Sequence, residues 1–158
     1  MKPELLIATL VTFLHNFFTV VWMGGLIVTV ISYLPALKKA LGAGPQVKKV
    51  MQQYQKIQGH WVAASMVGLI ATGVMMTHRS TGSTRFFMFS DPYSAILSIK
   101  HILVLLMIVI ALYRSLVLGR KKDPLTPGQE KLSMGLLLVN ALLAVLVLLT
   151  SAGIATLV

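Results

Sequence analysis

The chain contains no cysteine. That excludes disulfides, thiolate catalysis, iron–sulfur clusters and covalently attached c-type haem, and it leaves the redox compartment open. Acidic residues are nearly as scarce: Glu4, Asp91, Asp123 and Glu130 are the whole set. No paired carboxylates stand inside an apolar segment, and there is no GxSxG and no P-loop, so hydrolysis and phosphoryl transfer have no machinery here. Only 11% of the 158 residues are charged and 56% are hydrophobic. Soluble domains carry about a quarter charged residues, so the shortfall points to an integral membrane protein.

What the chain does have is basic residues and long apolar runs. Its 14 lysines and arginines give a net charge of +10. They fall between the apolar runs, which suits lipid headgroups and membrane topology and not nucleic acid. Four spans are expected, at about 5–34, 59–78, 93–118 and 131–157, each near the ~20 residues needed to cross a bilayer. The first is too long, and lacks the small-residue cleavage site, for a cleaved signal peptide. Between spans one and two, Val47, Val50, Met51, Tyr54 and Ile57 recur at helical spacing among lysines and glutamines. An amphipathic cytoplasmic segment over 45–58 is predicted, entering span two with a break or bend near Gly59. A solvated connector is the plainer alternative. Asp91 with Pro92, and Thr126 with Pro127 and Gln129, read as N-caps opening spans three and four.

The basic residues divide unevenly. Lys38, Lys39, Lys48, Lys49 and Lys56 follow span one, and Arg114, Arg120, Lys121, Lys122 and Lys131 lie about the end of span three. The opposite side has Lys2, Arg79, Arg85 and Lys100. The positive-inside rule then puts both basic connections in the cytoplasm and both termini on the outer, periplasmic side. The expected fold is all-α: a single transmembrane domain over 1–158, a four-helix bundle in a bacterial or archaeal cytoplasmic membrane.

On that frame His15 lies ten residues beyond Leu5, about 15 Å from the outer end of span one. His101 lies ten residues after Asp91, at a similar expected depth in span three. His78 closes span two on the outer side and His60 opens it on the cytoplasmic side. Intramembrane ionisable residues are functional candidates by default, and bundles build cofactor sites from facing helices. His15 and His101 are therefore candidate axial ligands of a b-type haem. Arg79, Arg85 and Lys100 are candidate partners of its propionates. Trp22, seven residues after His15 and on the same face, is a candidate wall for the ring, and Gly24, Gly25, Gly68 and Gly73 permit close helix approach.

Plainer roles stand beside each. His15 can hydrogen-bond to a neighbouring helix, as can Asn140. His60 and His78 can be interfacial, Lys100 can snorkel, and Trp22 can be packing. The nine methionines and the imidazoles also suit copper, with His15, His78 and His101 as ligands, although methionine is a common apolar filler.

The stretch from Leu14 to Leu41, with His15, Trp22, Gly24, Gly25, Pro35, Ala36 and Leu37, resembles the first helix of CopD-type (copper resistance D) membrane domains. Thr72 and Gly73 fall in a stretch similar to that family's second helix, and Lys100 opens one similar to its third. His15, Trp22, Gly25, Leu26 and Lys100 also resemble the four-helix HemJ-like protoporphyrinogen oxidases. The first resemblance implies copper handling; the second implies haem b and porphyrinogen oxidation. His101 belongs to neither pattern and favours a bis-histidine haem that carries electrons, in a membrane subunit of a larger redox complex. Expected partners are membrane lipid and a redox protein or quinone. A cofactor-free anchor or assembly subunit is the alternative from another class.

Overall fold

A computed structural model describes residues 2–42, 44–81, 89–119 and 125–157, and among these every regular element is helical. Among the described residues there are four long helices: α1, Pro3–Leu41; α2, Pro45–Thr81; α3, Pro92–Leu118; and α4, Pro127–Ala155. All four are long and apolar enough to cross a membrane. Between 11% and 28% of each apolar window is buried within the chain, so most of that surface needs a non-aqueous neighbour.

The helices start where local chemistry dictates. The Asp91 carboxylate accepts from the Ser94 N–H at 2.9 Å, and Ser94 Oγ accepts in return from the Asp91 N–H at 3.2 Å. The Ser94 backbone N–H, and then its hydroxyl, hold the Asp91 carboxyl below its ordinary range. Thr126 and Gln129 make the same reciprocal box at the start of α4. Each satisfies N-terminal groups that have no partner within the helix.

Two differences from the sequence reading concern the first half of the chain. The first span runs on past its expected end, with Lys38 and Lys39 in α1, while Lys48, Lys49 and Lys56 lie in the helical segment expected over 45–58, now the start of α2. The turn falls at Gly42, whose φ of +70° is a conformation that glycine adopts without strain. The break expected near Gly59 is also absent, since α2 passes through it as one helix. A single glycine costs about 1 kcal/mol of helix propensity, too little to end a helix packed on both sides of it. The apolar face is narrower than its spacing suggested. Val47 and Met51 are buried, whereas Val50 and Ile57 are exposed.

Helix α1 is not uniform. It widens into π-helical turns at Val20–Gly24 and again at Thr29–Tyr33. The second precedes Pro35, which lacks an N–H and whose ring would crowd the carbonyl four residues earlier; a widened turn accommodates both. The first adds a residue to the turn and lets the consecutive side chains Trp22 and Met23 both point inward, at 1% and 3% exposure. A third π turn, Tyr113–Leu118, closes α3.

Two compact units divide the chain, Met1–Arg85 and Phe86–Val158. In the first, α1 and α2 form an antiparallel hairpin. Its register is fixed by His15 against Thr72, Gly68 under the Phe18 ring, Gly25 beside Gln58, and Tyr54 against Thr29. Tyr33 and Tyr54 stack at 4.5 Å between ring centroids. In the second unit, α3 and α4 run antiparallel, with Ile96 near the start of α3 lying beside Gly153 near the end of α4. Leu137, Asn140, Ala141, Ala144 and Val147 form the buried stripe of α4, at spacings of three and four residues. Its small members allow close helix approach.

Candidate functional site

His15 is half-buried on α1, and its Nδ1 lies 2.9 Å from Thr72 Oγ1 on α2. The Thr72 hydroxyl has one proton, and it is directed at the Gly68 carbonyl at 2.7 Å, the usual back-bond of a helical threonine. Thr72 therefore accepts from His15, which assigns the imidazole proton to Nδ1 and the ring's lone pair to Nε2. Gly73 leaves the neighbouring backbone bare: a Cβ there would stand 3.9 Å from His15 Cε1. The plain expectation for His15, an interhelical hydrogen bond, is thus met. That bond is also what a ligating histidine requires on its far nitrogen.

His101, half-buried on α3, reaches the same state by a different route. Its Nδ1 lies 2.7 Å from the Leu97 carbonyl one turn earlier. A carbonyl only accepts, so Nδ1 carries the proton and Nε2 the lone pair. Lys100 precedes it and is half-buried. His60 makes the same local bond, to the Lys56 carbonyl at 2.8 Å, but is exposed at the basic end of the hairpin.

His78 is exposed, six residues beyond Thr72 and so about 9 Å further along α2. Arg79 follows it in α2, with a side chain outside the described set, and Arg85 lies outside the described residues. Among the described residues, no three His, Asp or Glu side chains gather as a metal-binding group. Trp22 is buried on the His15 face of α1, and its Nε1 has no hydrogen-bond partner. Asn140, expected to bond between helices, is buried on α4 with its Oδ1 likewise unpaired.

Sequence reading named Thr72 only through a family resemblance, and it missed Ser65, Thr29 and Gln58. His15, Trp22 and Thr29 recur every seven residues on α1. Gln58, Ser65 and Thr72 recur every seven on α2. Thr29, Ser65 and Thr72 are buried. Thr29 donates to the Gly25 carbonyl at 2.6 Å and accepts from Tyr54 at 2.6 Å, and Gln58 reaches the Val21 carbonyl at 3.5 Å. Two matched seven-residue polar series on consecutive spans were the signal available, because that period keeps residues on one face.

No family model, no curated protein and no solved structure matches the chain.

Proposed function

We propose that the chain is an integral membrane four-helix bundle, with both termini on the outer side, that holds a b-type haem and carries electrons as the membrane subunit of a redox complex. His15 and His101 are its axial ligands. The observation that carries this reading is their shared protonation. Each half-buried histidine of an apolar helix has its Nδ1 hydrogen-bonded, to Thr72 or to the Leu97 carbonyl, which is the anchoring a histidine that ligates through Nε2 has on its far nitrogen. A haem needs two such nitrogens, and it supplies a one-electron iron couple.

The chain's own residues then divide the work. Thr72 and the Leu97 carbonyl orient the rings and raise the basicity of their ligating nitrogens. Lys100, Arg79 and Arg85 supply positive charge for the propionates near the outer end. Trp22 lines the apolar surroundings. A copper site of His15, His78 and His101 is the second reading of the histidines.

The test is the visible spectrum of the purified protein, oxidised and reduced. A sharp reduced α-band of low-spin haem is expected, lost in His15→Ala and in His101→Ala. A normal low-spin spectrum in either variant makes that ligand assignment wrong. A colourless preparation that retains copper moves the reading to copper handling, and porphyrinogen oxidation by a haem-bearing preparation moves it to a HemJ-like oxidase. A colourless, metal-free protein leaves a membrane anchor. Topology is tested separately: the chain has no cysteine, so single cysteines at Lys2 and Leu125 report which side each end occupies by labelling from outside intact cells. Labelling at position 125 and not at position 2 inverts the orientation.

A further inference from the structure

Among the described residues four hydroxyl side chains are buried: Thr29, Ser65, Thr72 and Ser98. Three of them donate to the carbonyl four residues earlier, Thr29 to Gly25, Thr72 to Gly68 and Ser98 to Ser94. Ser65 does not. Its Oγ is buried with no hydrogen-bond partner in the chain, and the residue is 1% exposed. A helical serine with a carbonyl one turn below ordinarily uses it, so this hydroxyl has given up a local bond.

Trp22 Nε1 is in the same condition, buried and unpaired on a residue 1% exposed. The two belong to one layer of the α1–α2 hairpin. Phe18 lies on Gly68 and Gly25 lies beside Gln58; between these contacts the antiparallel register brings Trp22 level with the turn ending at Ser65. The same seven-residue step leads from His15 to Trp22 and, in reverse, from Thr72 to Ser65. Trp22 stands in the π turn Val20–Gly24, and such turns recur at functional sites.

An indole N–H only donates, and a serine hydroxyl both donates and accepts. Leaving each desolvated costs about 1–3 kcal/mol. One acceptor oxygen between them satisfies both, taking the indole proton and bonding the hydroxyl in either direction. Near-complete burial of both residues suits an occupant of one heavy atom, and buried waters characteristically serve polar groups of this kind.

We propose that Trp22 Nε1 and Ser65 Oγ form a binding site for a single internal water molecule at mid-span of the α1–α2 hairpin, between the His15–Thr72 pair and the Thr29–Tyr54 pair. The site extends the polar seam through the middle of an apolar hairpin. It does not depend on whether His15 binds haem.

The test reads the Trp22 indole by NMR. The chain has two tryptophans, so Trp61→Phe, at a residue 55% exposed, leaves Trp22 as the sole indole. In 15N-labelled protein in deuterated detergent, the Trp22 indole proton should show direct cross-relaxation to water. In Ser65→Ala that cross-peak should persist, because the water retains the indole donor and no hydroxyl remains to relay exchange. In Ser65→Leu, which fills the site, it should vanish. Absence of the cross-peak in the Ser65 protein overturns the proposal. So does its loss in Ser65→Ala, the result expected of a direct Trp22–Ser65 bond, as does a hydrogen-bonded indole shift without a water cross-peak, the result expected of a lipid carbonyl. Should Ser65→Leu fail to fold, the Ser65→Ala comparison still decides.

Discussion

The α1–α2 and α3–α4 hairpins are made of similar apolar helices yet are joined by different means. Across α1–α2, side chains bond between helices: His15 to Thr72 and Tyr54 to Thr29, with Phe18 seated on Gly68. Across α3–α4 the buried residues include Met107, Leu137, Asn140, Ala141, Ala144 and Val147, and Ser98 and His101 each bond a carbonyl one turn earlier on their own helix. The second hairpin invests instead in its ends, where both helices open with a reciprocal capping box. In lipid the hydrophobic effect does not drive helices together, so association rests on packing and interhelical hydrogen bonds. The first hairpin uses both, whereas small residues dominate the described contact of the second. The two candidate ligands reflect this: His15 is oriented by a neighbouring helix, His101 by its own backbone. Rotation of α1 against α2 disturbs His15; rotation of α3 against α4 leaves the His101 tautomer in place.

The strongest way to break the contrast is Gly68→Leu. Any Cβ there overlaps the Phe18 ring, so unfolding in detergent should show a loss on the order of 3 kcal/mol, with Phe18→Ala restoring part of it. No recovery in the double variant would mean that the ring is not the obstacle. Thr72→Val comes next. It removes the acceptor of the His15 Nδ1 proton while keeping the shape, and should cost about 1 kcal/mol. It should also broaden the low-spin haem spectrum if His15 ligates, whereas Thr72→Ser should restore both readouts. Gly153→Ala is the matching glycine change in the second hairpin, and its Cβ would meet Ile96 at an ordinary 3.9 Å. A change within about 0.5 kcal/mol is expected, since improved helix propensity offsets a new contact. A loss as large as that of Gly68→Leu would erase the distinction between the hairpins.

The smallest effect is at Asp91, which is fully exposed. Its folded-state pKa lies below the unfolded value, so the unfolded chain binds the proton more readily. Its stabilisation is complete above the unfolded value, about 3.9, and fades as pH falls through the folded value. Asp91→Asn keeps a good cap without the titration, so its stability should lack this acid-side slope. An equal slope in both proteins would assign the acid sensitivity elsewhere.

Much of the fold is legible in residue type and spacing. Asp91 and Thr126 announce their helices through proline at the next position and a polar partner three residues on, and both caps form. The four apolar runs each become a helix. The break expected at Gly59 does not occur because one glycine is no boundary when the interface on either side holds the helix together. The 45–58 segment is helical as its spacing suggested, with Val47 and Met51 buried and Tyr54 against Thr29, partners that amphipathic spacing alone does not name. Of the candidate site, His15 and His101 stand out because imidazoles are rare in apolar runs. Thr72, Ser65 and Thr29 do not, since lone hydroxyl residues are common in such helices.

The amino-acid sequence by itself determined the number of apolar helices, their starts, the excess of positive charge about two of the connections and the absence of thiol chemistry. These depend on residue type and local spacing, which are readable in one dimension. Tertiary structure decided which faces meet. A span apolar all round gives no preferred rotation, so only packing could show that the first hairpin closes at a register pairing His15 with Thr72 and setting Trp22 level with Ser65. The π turns of α1 belong to the same decision, since local spacing does not announce them.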